Sequence, residues 1–159
     1  MLKKVTTKEK KFVGGDFAII ASNYNKRYVD SMLNAAKQRL EKAGANSVYV
    51  VRVPGAYEIP VVVANLLSNT PKTFAAIICL GVIIRGETAH ADLIGTAVTN
   101  ALTRMQIEYL TPIIHEVLLL DNIEQAVKRC LDPKHNRGLE AAETAIEMAN
   151  VIKSILSIQ

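Results

Sequence analysis

No run of apolar residues in this sequence approaches the ~20 needed to cross a bilayer. No basic stretch at the start is followed by an apolar one of signal-peptide length. Cysteine is scarce: Cys79 and Cys130 are the two in the chain. They lie far apart and outside any Cys-x-x-Cys spacing, and Cys79, inside an apolar run, is expected as a reduced core thiol. Internal repeats, linkers and low-complexity segments are missing. Charge of one sign is in small excess, +4 at neutral pH, and the cations are scattered. These absences argue against a membrane-spanning or exported chain, and the expected setting is soluble, reducing and cytoplasmic.

What is present fits a globular α/β protein. The 159 residues are half hydrophobic and 21% charged, far from the composition of disordered chains and enough for one domain with a sizeable core. Mean hydropathy is slightly positive, so surplus apolar surface is expected to enter subunit contacts. The densest basic run, Lys3, Lys4, Lys8, Lys10 and Lys11, falls in an amino-terminal arm, residues 1–13. A nucleic-acid arm would interleave aromatics, and none precedes Phe12. The arm therefore reads as a solvated terminus ahead of a single domain over residues 14–159, with no nucleic-acid and no membrane partner.

Short apolar runs alternate with amphipathic stretches. Residues 17–21 read as a buried strand. Val29, Met32, Leu33, Ala36 and Leu40 recur at helical spacing, with Gly44 as the stop. Residues 48–53 are β-rich and are broken by Pro54-Gly55. Residues 58–67 suit a helix with Pro60 in its first turn. Residues 74–80 form a strand ended by Gly81, and residues 90–109 a long helix. Residues 112–120 form a strand, with Pro112 at its first residue. Residues 122–130 are a short helix, and Leu139, Ala142, Ile146, Ala149, Ile152 and Leu156 make one stripe of a last helix. The order β-α-β-α-β-α-β-α-α predicts a three-layer α/β/α sandwich around a four-stranded parallel sheet.

In open parallel sheets, ligands bind beyond the carboxyl ends of the strands. That rule selects Ser22 to Asn25, Pro54 to Glu58 and Gly81 to His90, with His115-Glu116 in the last strand. The third segment runs from a strand through Gly86 into a helix starting near His90. The amides of Glu87 and Thr88 would face outward there, a natural phosphate site, and His90 is placed for proton transfer near neutral pH.

Several of these segments together resemble one family. Val53-Pro54-Gly55-Ala56-Tyr57-Glu58-Ile59-Pro60 is similar to the VPGAFEIP signature of lumazine synthases, with Tyr57 for Phe. Residues 81–90, GVIIRGETAH, resemble their LGxVIRGETxH stretch. Ile123-Glu124-Gln125-Ala126 with Arg129, then Asn136-Arg137-Gly138 and Glu140-Ala141-Ala142, follow their carboxyl-terminal pattern, and Tyr24-Asn25 falls where they have an aromatic residue and Asn. Two long motifs in order are far more specific than one short one. The resemblance covers roughly residues 14 to 155.

It implies a flavodoxin-like fold and the condensation of 5-amino-6-ribitylaminouracil with 3,4-dihydroxy-2-butanone 4-phosphate to 6,7-dimethyl-8-ribityllumazine, a step of riboflavin biosynthesis, with no metal and no organic cofactor. It implies that His90 transfers protons. Glu87 and Thr88 would bind phosphate, closed by Arg129 from a neighbouring subunit. Tyr24 would stack on the pyrimidine. Asn25, Ala56, Tyr57, Glu58 and the backbone of Val82, Ile83 and Ile84 would orient the ring and ribityl chain. His115 and Arg137 complete the substrate-binding set. For Glu58 the bland alternative is a carboxylate favoured by a helix start. The family also implies a homo-oligomer, a pentamer or a shell of twelve pentamers, with riboflavin synthase as a partner. Pentameric relatives often carry an insertion before the last helix, and residues 129–138 show none, which favours the shell.

Besides Tyr57, four residues depart from the family pattern. His115-Glu116 stands where Phe-Gly is usual, Arg137 where Lys is common, and Ala91 where Phe or Tyr follows the histidine. His115 reads as a tolerated planar substitution ahead of a second proton shuttle. Glu116 should face away from whatever His115 lines, and its charge needs solvent or a cation. The alternatives to the condensing enzyme are a riboflavin synthase of the archaeal type and a catalytically impaired lumazine- or flavin-binding shell protein.

Overall fold

A computed structural model of the protein describes residues 14–158. The basic arm, residues 1–13, lies outside the described residues. In chain order the elements are β1 (Asp16–Ser22), α1 (Lys26–Ala43), β2 (Ser47–Val53), α2 (Ile59–Ser68), β3 (Phe74–Ile84), α3 (His90–Tyr109), β4 (Ile113–Leu120), α4 (Ile123–Ala126) and α5 (Arg137–Leu156). The four strands form one parallel sheet in the order β2-β1-β3-β4.

The apolar runs make both faces of the sheet bury. Phe17, Ile19 and Ala21 of β1 join Ile78, Leu80 and Val82 of β3 against α1 and α5. The alternate residues, Ala18 and Ile20 with Ile77 and Cys79, pack against α2 and α3. Side chains alternate between the faces of a strand, so a sheet covered twice needs apolar residues at every position. The result is the expected three-layer sandwich.

Helix ends follow local chemistry. Gly44, at φ 95°, closes α1 in the left-handed region and returns its N–H to Glu41 and Leu40, a conformation glycine adopts without penalty. The Asn136 side chain accepts the N–H groups of Gly138 and Leu139 and so caps α5, satisfying donors that the first helical turn leaves free. In this same first turn, α5 crosses α1 so closely that a Cβ on Gly138 would overlap the backbone carbonyl of Met32.

Three local readings change. β3 does not stop at Gly81 but continues to Ile84. Gly81 lies inside the strand, where a Cβ would sit 3.1 Å from Val117 and 3.5 Å from Ala56, so it permits close packing instead of ending the element. The short helix at 122–130 is α-helical only through Ala126, then widens into a π turn over Val127–Leu131. On α5, Ala142, Ile146 and Ala149 are buried as the stripe requires, but Leu139 and Leu156 are exposed. Ala141 and Ala145 take the inward positions instead, because the small residues allow the close crossing with α1.

Gly138→Ala is expected to lower unfolding stability by roughly 1–3 kcal/mol, the usual cost of overpacking, read from the urea midpoint. Gly86→Ala, where the added methyl meets open space, should leave the midpoint unchanged.

Candidate active site

The strand order reverses between β1 and β3, since the chain leaves β1 for β2 on one side and β3 for β4 on the other. A crevice opens at such a reversal. β1 pairs with β3 as far as Ala21 and Leu80, while β3 runs on to Ile84 paired to β4. The backbone of Val82, Ile83 and Ile84 thus has no strand partner on its β1 side.

Asn25 spans this gap. It adopts φ 52°, ψ 41° at the start of α1, a left-handed conformation that Asn tolerates better than most residues. Its Nδ2 donates to the Val82 carbonyl at 2.7 Å. Next to it Tyr24 is 75% exposed, and its backbone N–H is held by the Pro54 carbonyl at 3.1 Å. Arg52, which the sequence reading passed over, secures the same loop. Its guanidinium donates to Asn23 Oδ1 at 3.0 Å, Asp30 Oδ1 at 2.8 Å and the Ser22 carbonyl at 3.2 Å. Beyond β2, residues Ala56–Glu58 form a 3-10 turn. Glu58 Oε2 accepts the Gly55 N–H at 2.9 Å, so this carboxylate has a structural task at the turn. Ala56 is buried and Tyr57 exposed.

The loop from Arg85 to Ala89 leads into α3, whose first residue is His90. Every residue from 85 to 90 is exposed. The Thr88 hydroxyl accepts the His90 N–H at 3.4 Å. Among the described residues, no acceptor engages the amides of Glu87 and Thr88. Free amides at the positive end of a 20-residue helix favour an anion. The loop's own cation is already committed. Arg85 bonds Asp121 at 2.8 Å and Asp92 at 2.5 and 2.6 Å, and Asp92 and then Asp121 hold its pKa above the ordinary arginine value. Asp121 is secured in turn by its N–H to Gln125 Oε1 at 3.0 Å. A second cation for a phosphate must therefore come from outside this loop.

His115 and Glu116 lie on β4, at the level of Cys79 and Leu80 of β3, and face opposite layers. His115 turns toward α3. Its Nδ1 accepts the Val117 N–H at 3.3 Å. A backbone amide only donates, so Nε2 carries the ring proton and donates to Thr99 Oγ1 at 2.8 Å. The Thr99 hydroxyl passes its own proton to the Gly95 carbonyl at 2.7 Å. Burial holds the His115 pKa below its ordinary value. Both ring nitrogens thus have a hydrogen-bond partner within the chain.

Glu116 turns toward α5 and is 7% exposed. Its cation is Arg137 of the same chain, with Nε at 3.1 Å from Oε2 and Nη2 at 3.3 Å from Oε1. Arg137 also donates through Nη1 to Glu140 at 2.6 Å. Burial raises the Glu116 pKa, and the charge and hydrogen bonds of Arg137 pull it back. Arg129, in the π turn, is exposed and makes no ion pair within 4 Å among the described residues. Beside it Cys130 is buried, its thiol pushed up to about 11 chiefly by burial.

The sequence-selected residues therefore fall into two groups. Tyr24, Asn25, Ala56, Tyr57, Glu58, Val82, Ile83, Ile84, Glu87, Thr88 and His90 collect around the crevice and the start of α3. His115, Arg129 and Arg137 belong to β4, the π turn and α5. No hydrogen bond or ion pair joins the groups among the described residues. Arg52, Asp92 and Asp121 were missed, and Arg85 was selected with its segment but given no role, because these residues hold loops through ion pairs between separate elements. No group of three His, Cys, Asp or Glu able to hold a metal occurs among the described residues, and none of their helices is long and apolar enough to cross a membrane.

A parallel sheet whose order reverses, with an uncapped helix start beside a histidine, defines a class: α/β proteins with an anion-ready helix start at the carboxyl edge of the sheet. Similarity to known proteins narrows this. A family model described as 6,7-dimethyl-8-ribityllumazine synthase matches residues 14–153. The 6,7-dimethyl-8-ribityllumazine synthase of Desulfotalea psychrophila is 38% identical over 144 residues, 89% of this chain and 92% of that one. The chain belongs to the 6,7-dimethyl-8-ribityllumazine synthase family.

The depressed His115 pKa has a signed consequence. The folded state resists protonating this ring, so its contribution to stability is full above the unfolded histidine value of ~6.5 and is lost as pH falls below it. His115→Phe should flatten the fall in urea midpoint between about pH 6.5 and 5, a range set by that reference value. An equally steep fall in the variant would assign the loss to other groups.

Proposed function

We propose that this chain condenses 5-amino-6-ribitylaminouracil with 3,4-dihydroxy-2-butanone 4-phosphate, giving 6,7-dimethyl-8-ribityllumazine, phosphate and water. The observation that carries the reading is the pair of unbonded amides at Glu87 and Thr88 next to His90, in a chain of this family. The phosphate ester sits on those amides. Arg129 of a neighbouring subunit closes over it, its planar fork matched to phosphate oxygens. Tyr24 stacks on the pyrimidine. Asn25, Ala56, Tyr57 and Glu58, with the open backbone edge of Val82 to Ile84, orient the ring and ribityl hydroxyls. His115 and Arg137 complete the slot from the neighbour. His90 moves protons as amine and carbonyl combine and as water and phosphate leave. Much of the acceleration is proximity, since two small molecules are held in reacting geometry.

This arrangement needs an oligomer, because the reading takes His115, Arg129 and Arg137 from a neighbouring subunit. We read the assembly as a pentamer built into a shell, in the cytoplasm, with riboflavin synthase as the partner that consumes the lumazine. Light scattering of the purified protein should give a mass far above that of a pentamer.

The test of the reaction is product formation from the two substrates, set against lumazine supplied alone. Lumazine should appear from the pair, and conversion of lumazine alone to riboflavin would overturn the assignment. His90→Ala should lower kcat by about 10²–10⁴-fold, the usual contribution of one proton-transfer group, with KM values preserved. Arg129→Ala should raise KM for the butanone phosphate by roughly tenfold to a hundredfold, the worth of one charge-assisted hydrogen bond, and leave KM for the uracil nearly unchanged.

A further inference from the structure

Glu116 is a buried carboxylate on a strand face that needs no charge to fold, and it is met by two hydrogen bonds from one guanidinium. A buried acid costs several kcal/mol unless paired with good geometry, so the pair has to be accounted for. Arginine offers five N–H donors in a planar fork, while lysine offers a point charge. Only the fork serves Glu116 through two of its nitrogens and Glu140 through the third. The glutamate at 116 and the arginine at 137 therefore form one unit, and a lysine, with its single nitrogen, lacks the fork that meets both oxygens of Glu116.

The charges around this unit are unequal. Arg137 faces two carboxylates, so the trio of Glu116, Arg137 and Glu140 is net negative. Arg129 lies close enough to act on Glu116 electrostatically yet remains exposed and outside any ion pair among the described residues. A phosphate ester is drawn to the free cation and repelled by the negative trio. Three of the N–H donors of Arg137 are engaged, which leaves two for uncharged oxygens.

We propose that Glu116 is a positioning residue: it holds Arg137 as a rigid, charge-compensated donor to the hydroxyl and carbonyl oxygens of the ribitylaminouracil, and leaves Arg129 as the cation for the phosphate ester. This rests on the substrate-binding role given to Arg137 above. Glu116 divides two neighbouring arginines between the two substrates, and does so without touching either.

The division is read in the two Michaelis constants of the intact oligomer. Glu116→Gln keeps the shape and removes the charge. The KM for the uracil should rise about fivefold, the coupling expected between contacting residues. The KM for the butanone phosphate should fall about twofold to fivefold, because the Arg137 charge is released. General damage to the fold raises both, so opposite movements mark positioning. Constants that move together, or do not move, overturn the proposal. A second variant, Glu116→Gly with Arg137→Lys, restores the residues usual in the family and should return the uracil KM to within about threefold of the parent, as coupled sites require. A double variant whose defects simply add overturns it too. Arg137→Ala separates this inference from the reaction itself. If neither KM changes while lumazine is still formed, Arg137 does not bind substrate and the proposal falls, but the condensation stands.

Discussion

The hydrogen bond from Asn25 to the Val82 carbonyl holds the reversal of the sheet together. At 2.7 Å it spans the one place where β3 has outrun β1. It ties the left-handed entry to α1 to the strand that leads into the 85–89 loop. The β1–β3 ladder joins the two strands as far as Ala21 and Leu80, and this bond carries the link on to the loops at their carboxyl ends. The two loops that flank it are secured independently, by Arg52 on one side and Arg85 on the other. The carboxyl edge of the sheet at the reversal is thus framed by three anchors, from Asn25, Arg52 and Arg85.

The strands were legible because a sheet covered on both faces demands unbroken apolar runs, and residues 17–21 and 74–80 supply them. Crossover helices were legible from their 3.6-residue stripe and their glycine stop. Gly81 misled because glycine both ends strands and permits close packing, and only the positions of Val117 and Ala56 tell which. The π turn was invisible because apolar spacing does not separate an i+4 bond from an i+5 bond, and the Asp132 N–H returning to the Val127 carbonyl is a fact of three dimensions. Most of the candidate site was readable, since it stands where the strands end and its motifs are contiguous. The cation for Glu116 was not. It lies 21 positions away on another element, and no local pattern links a strand residue to the first turn of the last helix.

The division of site residues between two surfaces also explains the unusual apolarity of the chain. Leu93, Ile107 and Leu110 of α3 and its end, and Ile155 and Leu156 of α5, are exposed in the single chain. Such residues suit burial between subunits, in keeping with the oligomeric assembly of the family. His115 fits this arrangement: its ring nitrogens are turned inward to Thr99 and Val117, which leaves an aromatic face as its contribution to whatever packs against it.

The Arg85 anchor carries a consequence for the medium in which the protein works. Its carboxylate partners Asp92 and Asp121 are largely solvent-exposed, so added salt weakens their hold over a screening length of ~8 Å at physiological ionic strength. Any anion drawn to the open amides of Glu87 and Thr88 would be screened by the same ions. The hold on the loop therefore declines as ionic strength rises, and the hydrophobic sheet beneath it does not. Salt thus separates the two halves of the molecule energetically: the recognition rim responds to it, and the scaffold stays indifferent.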